Sequence, residues 1–155
     1  LFLEFESPSN QGILEHVKAL RVQLGDRGKN AMSRSSVTIS QLQRQVATVV
    51  TRLGYECEEE AMDSVSGFSI DILVKLSGKR VGLEEQLGVA VEVDGPSHFL
   101  RDSRQPNGAT MFKRRLLGQL GYRTVSVPYW EWDLKDGGER ETYVRELLTS
   151  AVGGV

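Results

Sequence analysis

The chain has 155 residues, 39% of them hydrophobic and 26% charged, with a formal net charge of −2. That is about one domain's worth of ordinary globular sequence, enough to bury roughly two thirds of its unfolded surface. No apolar run is long enough to span a bilayer, no secretory leader is visible, and the single Cys57 excludes an internal disulfide and a cysteine-rich zinc site.

Ile13, Val17, Leu20 and Leu24 recur at helical spacing and predict a helix over residues 10–24. "GDRGKNAMSRSS" (25–36) reads as a flexible polar linker, so residues 1–36 are expected to precede a domain at 37–152. The chain begins at Leu1 rather than Met, as a fragment or processed product would. Ser40 and Gln43 form a capping-box pattern ahead of a stripe of Leu42, Val46, Val49, Val50 and Leu53, with Gly54 placed to end that helix. A strand is expected over Tyr55–Glu60. A clearer one runs from Phe68 to Leu76, with Phe68, Ile70, Ile72, Val74 and Leu76 on one face and Asp71 on the other.

"SGKR" reads as a turn and residues 79–87 as an irregular insertion. In the strand Gly88–Asp94, Val89, Val91 and Val93 oppose Ala90, Glu92 and Asp94. A helix over about 110–120 turns Phe112, Leu116 and Leu120 inward, a short strand covers Arg123–Val127, and an amphipathic helix ends the chain. The strands joined by short links pair antiparallel, while the helical crossover makes the last strand parallel to its neighbour. The expected fold is α/β (α+β), a mixed β-sheet flanked by helices.

Charge is unevenly placed. Tyr55–Asp71 holds six acids and no Lys or Arg, whereas His98–Pro128 holds six bases against Asp102 alone. A local positive patch is therefore available on a net-acidic domain, though two differently solvated faces account for the same pattern.

If the two middle strands form a hairpin, Asp71 and Glu92 come to one side of the sheet. Two close carboxylates repel unless a proton or cation neutralises one of them. Such an oxygen pair suits Mg²⁺ or Mn²⁺, which could activate water against a phosphodiester. His98 lies close along the chain as a general acid or base. Lys113, about 60° from the centre of its helix stripe at roughly 100° per residue, can reach inward to a phosphate, whereas Arg114 is expected to face solvent.

Plainer roles compete with each of these. Asp71 could be a salt-bridged strand-end acid, Asp94 a cap for the Gly95-Pro96 turn, and His98 a hydrogen-bonded structural residue. Lys113, Arg114 and Arg115 could be a helix surface. Trp130 and Trp132 could be packing, although exposed aromatics beside cations suit stacking on unpaired bases. Glu131 between them has no evident role.

"VAVEVDGPSHF" followed by "NGATMFKRRLLGQLGYRTVSVPYWEW" strongly resembles the RAP domain. That RNA-binding module is found in apicomplexan proteins, mitochondrial Fas-activated-kinase-like proteins and octotricopeptide-repeat proteins of algae and plants. The resemblance covers about residues 68–150 and is strongest from Val89 to Trp132. It implies a restriction-endonuclease-like PD-(D/E)XK architecture, similar to very-short-patch-repair-type endonucleases. By that likeness Asp71 matches the first acid and Glu92 the acid of the E-x-K element. Asp94 stands where the nuclease lysine would be, and Lys113 is a candidate to take over that role. The Glu-x-Asp-Gly strand and nearby histidine of the repair enzymes resemble Glu92, Asp94, Gly95 and His98.

Three functions follow as expectations. The first is RNA binding within a mitochondrial or plastid protein of RNA processing, stability or ribosome assembly. Arg101, Arg104, Lys113, Arg114, Arg115 and Arg123 would contact phosphate and Trp130 would stack; ribosomal or other organellar RNA-processing proteins would be partners, and a membrane would not. The second is a metal-dependent endoribonuclease with Asp71 and Glu92 on Mg²⁺ or Mn²⁺, supported by Asp94, His98 and Lys113; it requires Asp71 and Glu92 to converge. The third is an inert scaffold of nuclease fold for protein or ribosome interaction, in which those acids are separated or buried in salt bridges and the basic helix faces protein.

Overall fold

The computed structural model describes residues 32–76 and 87–153, with residues 32–40 given as helical backbone. The predicted helix at 10–24, the "SGKR" turn and almost all of the insertion lie outside these residues. The elements are α1 (Met32–Arg52), β1 (Cys57–Met62), β2 (Ser69–Val74), β3 (Gly88–Asp94), α2 (Gly108–Gln119), β4 (Tyr122–Pro128), α3 (Tyr129–Asp133) and α4 (Gly137–Gly153). No helix among the described residues is long and apolar enough to cross a membrane.

The sheet order is β1-β2-β3-β4, with β1–β2 and β2–β3 antiparallel and β3–β4 parallel. This is the expected mixed arrangement: the β3–β4 link holds a helix, α2, that carries the chain back along the sheet and so allows a parallel pair. β3 is the inner strand between β2 and β4, and all seven of its residues are buried. Glu92 and Asp94 are therefore removed from water by the strand they occupy.

Helices cover both faces. On one, Val46 and Val50 of α1 and Val144 and Leu148 of α4 pack with Ile72, Val74, Val89, Val91 and Val93. Each such side chain contributes roughly 1.5–3 kcal/mol by leaving water. On the other, Leu117 of α2 joins Ala90, Ile70 and Ala61 in a much smaller cluster. This second face is thin in apolar material, and charged groups occupy the remainder.

Several boundaries differ from expectation for identifiable reasons. α1 begins at Met32, so Ser40 lies inside the helix and residues 32–36 are helical rather than linker. Gln43 is buried instead of capping, its Nε2 donating to Glu60 Oε1 at 2.9 Å and to the Asp71 carbonyl at 3.0 Å. Gly54 does end the helix: its φ of 86° is the left-handed conformation that lets the Tyr55 N–H reach back to the Val50 carbonyl. Ile70 does not share the face of Ile72 and Val74 but joins the α2-side cluster. The ladder misses a rung there, with Glu59 opposite Ile72, Ala61 opposite Ile70, and Glu60 at φ 53° between. A left-handed residue turns the strand locally and interrupts simple alternation.

Candidate functional site

The site lies where β2 leaves β3. Their paired register ends at Ile72 opposite Val91, and one further step sets Asp71 across from Glu92. Asp71 Oδ2 accepts the Val93 N–H at 2.8 Å, so a side chain takes the place that a strand carbonyl would hold. The two strands splay around this carboxylate.

α2 delivers the cations, and its start is tied to the loop after β3. Asn107 caps it by accepting the Thr110 N–H at 3.0 Å, while Asn107 Nδ2 donates to the Ser97 carbonyl and Thr110 Oγ1 to that of His98. Thr110 and Leu117 are buried, and Lys113 and Arg114 fall between them at i+3 and i+4. The inward face thus runs through Thr110, Leu116 and Leu117: Leu116 is buried as expected, while Phe112 and Leu120 are only partly so. Arg114 consequently points to the sheet, correcting the expectation that it faces solvent.

Two adjoining charge clusters result. In the first, Lys113 Nζ lies 2.5 Å from Glu92 Oε2 and 4.0 Å from Asp71 Oδ1. Glu92 is 2% exposed, and its Oε1 is buried with no hydrogen-bond partner among the described residues. Burial first, and then the charge of Asp71, push Glu92 up to about 7 against the pull of Lys113. Burial also raises Asp71, although Lys113 and the Val93 N–H oppose it.

In the second cluster Asp94 is completely buried, so it is not a turn cap at the surface. It accepts from Arg114 and from the Ser126 hydroxyl, and His98 Nδ1 lies 2.9 Å from its Oδ1. Arg114 also donates to Ser126 Oγ at 2.8 Å. Burial works against the Asp94 charge, but His98, Ser126 and Arg114 together hold it below the ordinary aspartate value. The hydrogen bond to Asp94 in turn raises His98. With Nδ1 committed to the carboxylate, Nε2 is the imidazole nitrogen left to exchange a proton with anything outside.

The convergence expected of a metal site is present, but an ammonium stands at its focus. Lys113 supplies the positive charge that a divalent cation would bring to Asp71 and Glu92, while Asp94 is turned to Arg114 and His98. Among the described residues no group of three or more His, Cys, Asp or Glu side chains is placed to hold a metal ion. As arranged, the donor set fits an internal ion-pair network better than Mg²⁺ or Mn²⁺.

A different surface forms just beyond it. After Pro96–His98 the chain makes a tight loop, closed by a bridge between Phe99 and Pro106 and by the Leu100 N–H on the Gln105 carbonyl at 2.8 Å. Phe99 meets Trp130 with ring centroids 4.2 Å apart, Tyr129 meets Trp130 at 5.2 Å, and the Arg104 guanidinium lies 5.5 Å over the Trp130 ring. Between loop and rings is a cleft of about 530 Å³ that Arg101 and Asp102 also line. Trp132, by contrast, is core: it is 1% exposed, and its Nε1 donates to Gln45 Oε1 at 2.9 Å. Glu131 accepts the Tyr143 hydroxyl at 2.7 Å.

The structure thus gathers Asp71, Glu92, Asp94, His98, Lys113 and Arg114 in one place, and Arg101, Arg104 and Trp130 in another. Arg115 is exposed on α2, and Arg123 sits opposite Val89, at the end of β4 away from Asp94. Sequence reasoning did not pick out Ser126, Phe99, Tyr129 and Asp102. Ser126 was in principle detectable as the parallel-register partner of Glu92. The aromatic grouping had no such signal, because it depends on a loop closing against α3.

Comparison with known proteins gives the family. The model of the RAP domain family matches residues 91–147, from within β3 to within α4. A chloroplastic RAP domain-containing protein of Oryza sativa subsp. japonica is 33% identical over 110 residues, an alignment covering 70% of this chain and 15% of the rice protein. The chain thus spans a small part of that relative's length. The match begins in the acid-bearing strand and takes in the loop, α2 and the "YWEW" turn, which carry the side chains of both surfaces except Asp71: this chain carries a RAP domain.

Proposed function

We propose that the domain binds RNA as part of a larger organellar protein of RNA metabolism. The observation carrying this reading is the cleft in which Arg104 lies over Trp130 beside Phe99, Tyr129 and Arg101. Guanidinium groups contact phosphate, and flat rings stack on bases of any sequence. The RAP match and the chloroplastic relative support the RNA and organelle parts of the proposal. Arg101, Arg104 and Arg115 are the exposed cations for phosphate contact, while Lys113 and Arg114 act mainly by holding the acids in place. RNA processing, stability or ribosome assembly are the processes such a domain would serve. The test is binding of labelled RNA in EDTA across a salt series. A linear fall of log K with log salt, at a slope of about −0.7 per phosphate contact for single strands, is the expected result. Affinity that ignores salt would remove the reading.

A second reading, endoribonuclease activity, is favoured by the meeting of Asp71, Glu92 and Lys113 at the mouth of the fork. Incubating the chain and its Glu92→Gln variant with RNA in Mg²⁺, Mn²⁺ or EDTA tests it. Cleavage by the parent alone would establish the activity, and intact RNA in every lane would reject it.

A further inference from the structure

We infer that the cleft between the Phe99–Pro106 loop and the Tyr129–Trp130 turn holds one unpaired nucleotide, with its base against the Trp130 ring and its phosphate on Arg101 and Arg104. This rests on the RNA-binding reading and adds the form of RNA that the domain selects.

Size comes first. A volume of about 530 Å³ lies within the range of small-molecule sites and accommodates roughly one nucleotide. A base stacked and paired inside a duplex cannot enter without being pulled out, which costs a few kcal/mol, so the cleft discriminates by strandedness.

The aromatic groups come next. Phe99, Tyr129 and Trp130 belong to neither hydrophobic core, yet they touch one another and remain partly exposed. Three rings held outside both cores, at the edge of a polar cleft, have a face to offer to something flat. Arg104 lies over Trp130, so a cation proposed for the phosphate is held beside the ring proposed for the base.

Charge and rigidity complete the case. Arg101 and Arg104 are exposed and Asp102 is the one acid of the lining, so the rim is positive where a phosphate would lie. The loop is closed by its own backbone bonds and tied to α2 through Asn107 and Thr110. A prebuilt cleft has little ordering entropy left to lose when it is filled.

The test uses the 155-residue chain with an eight-nucleotide single-stranded RNA and a blunt duplex of the same sequence. Trp130→Leu, Trp130→Phe and the surface pair Arg101→Met with Arg104→Met are compared with the parent, each checked for native circular dichroism. Trp130→Leu is expected to weaken single-strand binding by about five- to a hundred-fold, with Trp130→Phe keeping most of the affinity and duplex binding little changed. Should Trp130→Leu not fold, the arginine pair carries the test, since both side chains are exposed and its loss should again fall mainly on the single strand. Equal losses for single strand and duplex, or no loss in any folded variant, would overturn the cleft assignment and leave RNA binding standing. A parent chain that binds neither RNA would overturn both.

Discussion

Lys113 of α2 meets Glu92 of β3 at 2.5 Å, with Asp71 of β2 4.0 Å from the same ammonium. One cation thus serves two carboxylates. The deficit appears as a raised Glu92 and as a buried carboxylate oxygen with no partner among the described residues.

Removing that cation should be costly. Lys113→Met leaves two facing acids in a poorly solvated site, and a loss of about 3 kcal/mol is expected at pH 7. Adding Glu92→Gln should restore part of it, because only one acid then remains. Urea unfolding of the parent, both single variants and the double variant gives the coupling, expected at about 1–2 kcal/mol. Strictly additive effects would show that the contact has no energetic weight.

The pH dependence follows from the same groups. Glu92 in the folded chain is raised from 4.5 to about 7, so between these values the folded state holds more protons than the unfolded one. Its contribution is therefore fully present below 4.5 and is lost as pH rises through about 7, to an extent on the order of 3 kcal/mol. Asp71, also raised, acts in the same direction. His98 is raised above 6.5, and its stabilisation disappears as pH climbs past its folded value. Asp94 is lowered from 3.8 and acts oppositely, losing its contribution only as strong acid protonates it. Thermal unfolding should show greater stability at pH 5 than at pH 8. Glu92→Gln should flatten most of that slope, and an unchanged slope in the variant would refute the assignment.

Neighbouring arginines on α2 should behave differently. Arg114→Met strands the fully buried Asp94 without its guanidinium and is expected to cost about 3 kcal/mol of stability. Arg115→Ala, at an exposed position, should change stability by less than about 0.5 kcal/mol. If RNA reaches this helix, Arg115→Ala should reduce the magnitude of the salt slope by about one contact's worth. Chemical denaturation and salt-dependent binding separate the two effects, and equal destabilisation by both variants would contradict the burial difference.

Gly88 starts β3 under a tighter constraint than any charge. Its φ is 131°, and a Cβ there would stand 2.6 Å from the Val74 carbonyl oxygen. Gly88→Ala combines a strained backbone with a clash in the β2–β3 ladder, for an expected loss of about 3 kcal/mol. A melting temperature within a degree of the parent would disprove this.

Much of the sheet was legible because its signals are local. Alternation located β3 at Gly88–Asp94, and connection length distinguished the antiparallel pairs from the parallel one. Asp71 and Glu92 were brought together by the same register logic, and their convergence holds. Arg114 was misjudged because the helix stripe was drawn through Phe112, Leu116 and Leu120, whereas the buried face runs through Thr110, Leu116 and Leu117. The turn-cap role offered for Asp94 does not hold, because the residue is buried and nothing local reveals that α2 will cover it. The Phe99–Trp130 contact joins residues far apart in sequence through an irregular loop, beyond the reach of any periodicity.

The recurring signature and the packed fold around it do not coincide in this chain. The family match opens at Val91, halfway along the innermost acid-bearing strand. Its first valines pack on Val46, Val50, Ile72 and Val74, and the Val93 N–H donates to the Asp71 carboxylate, all partners upstream of that boundary. A polypeptide trimmed to residues 91–147 would keep the signature yet lack one helix, two strands and the carboxylate that closes the fork. The packing around β3 reaches back through β1 into α1, although the family match does not.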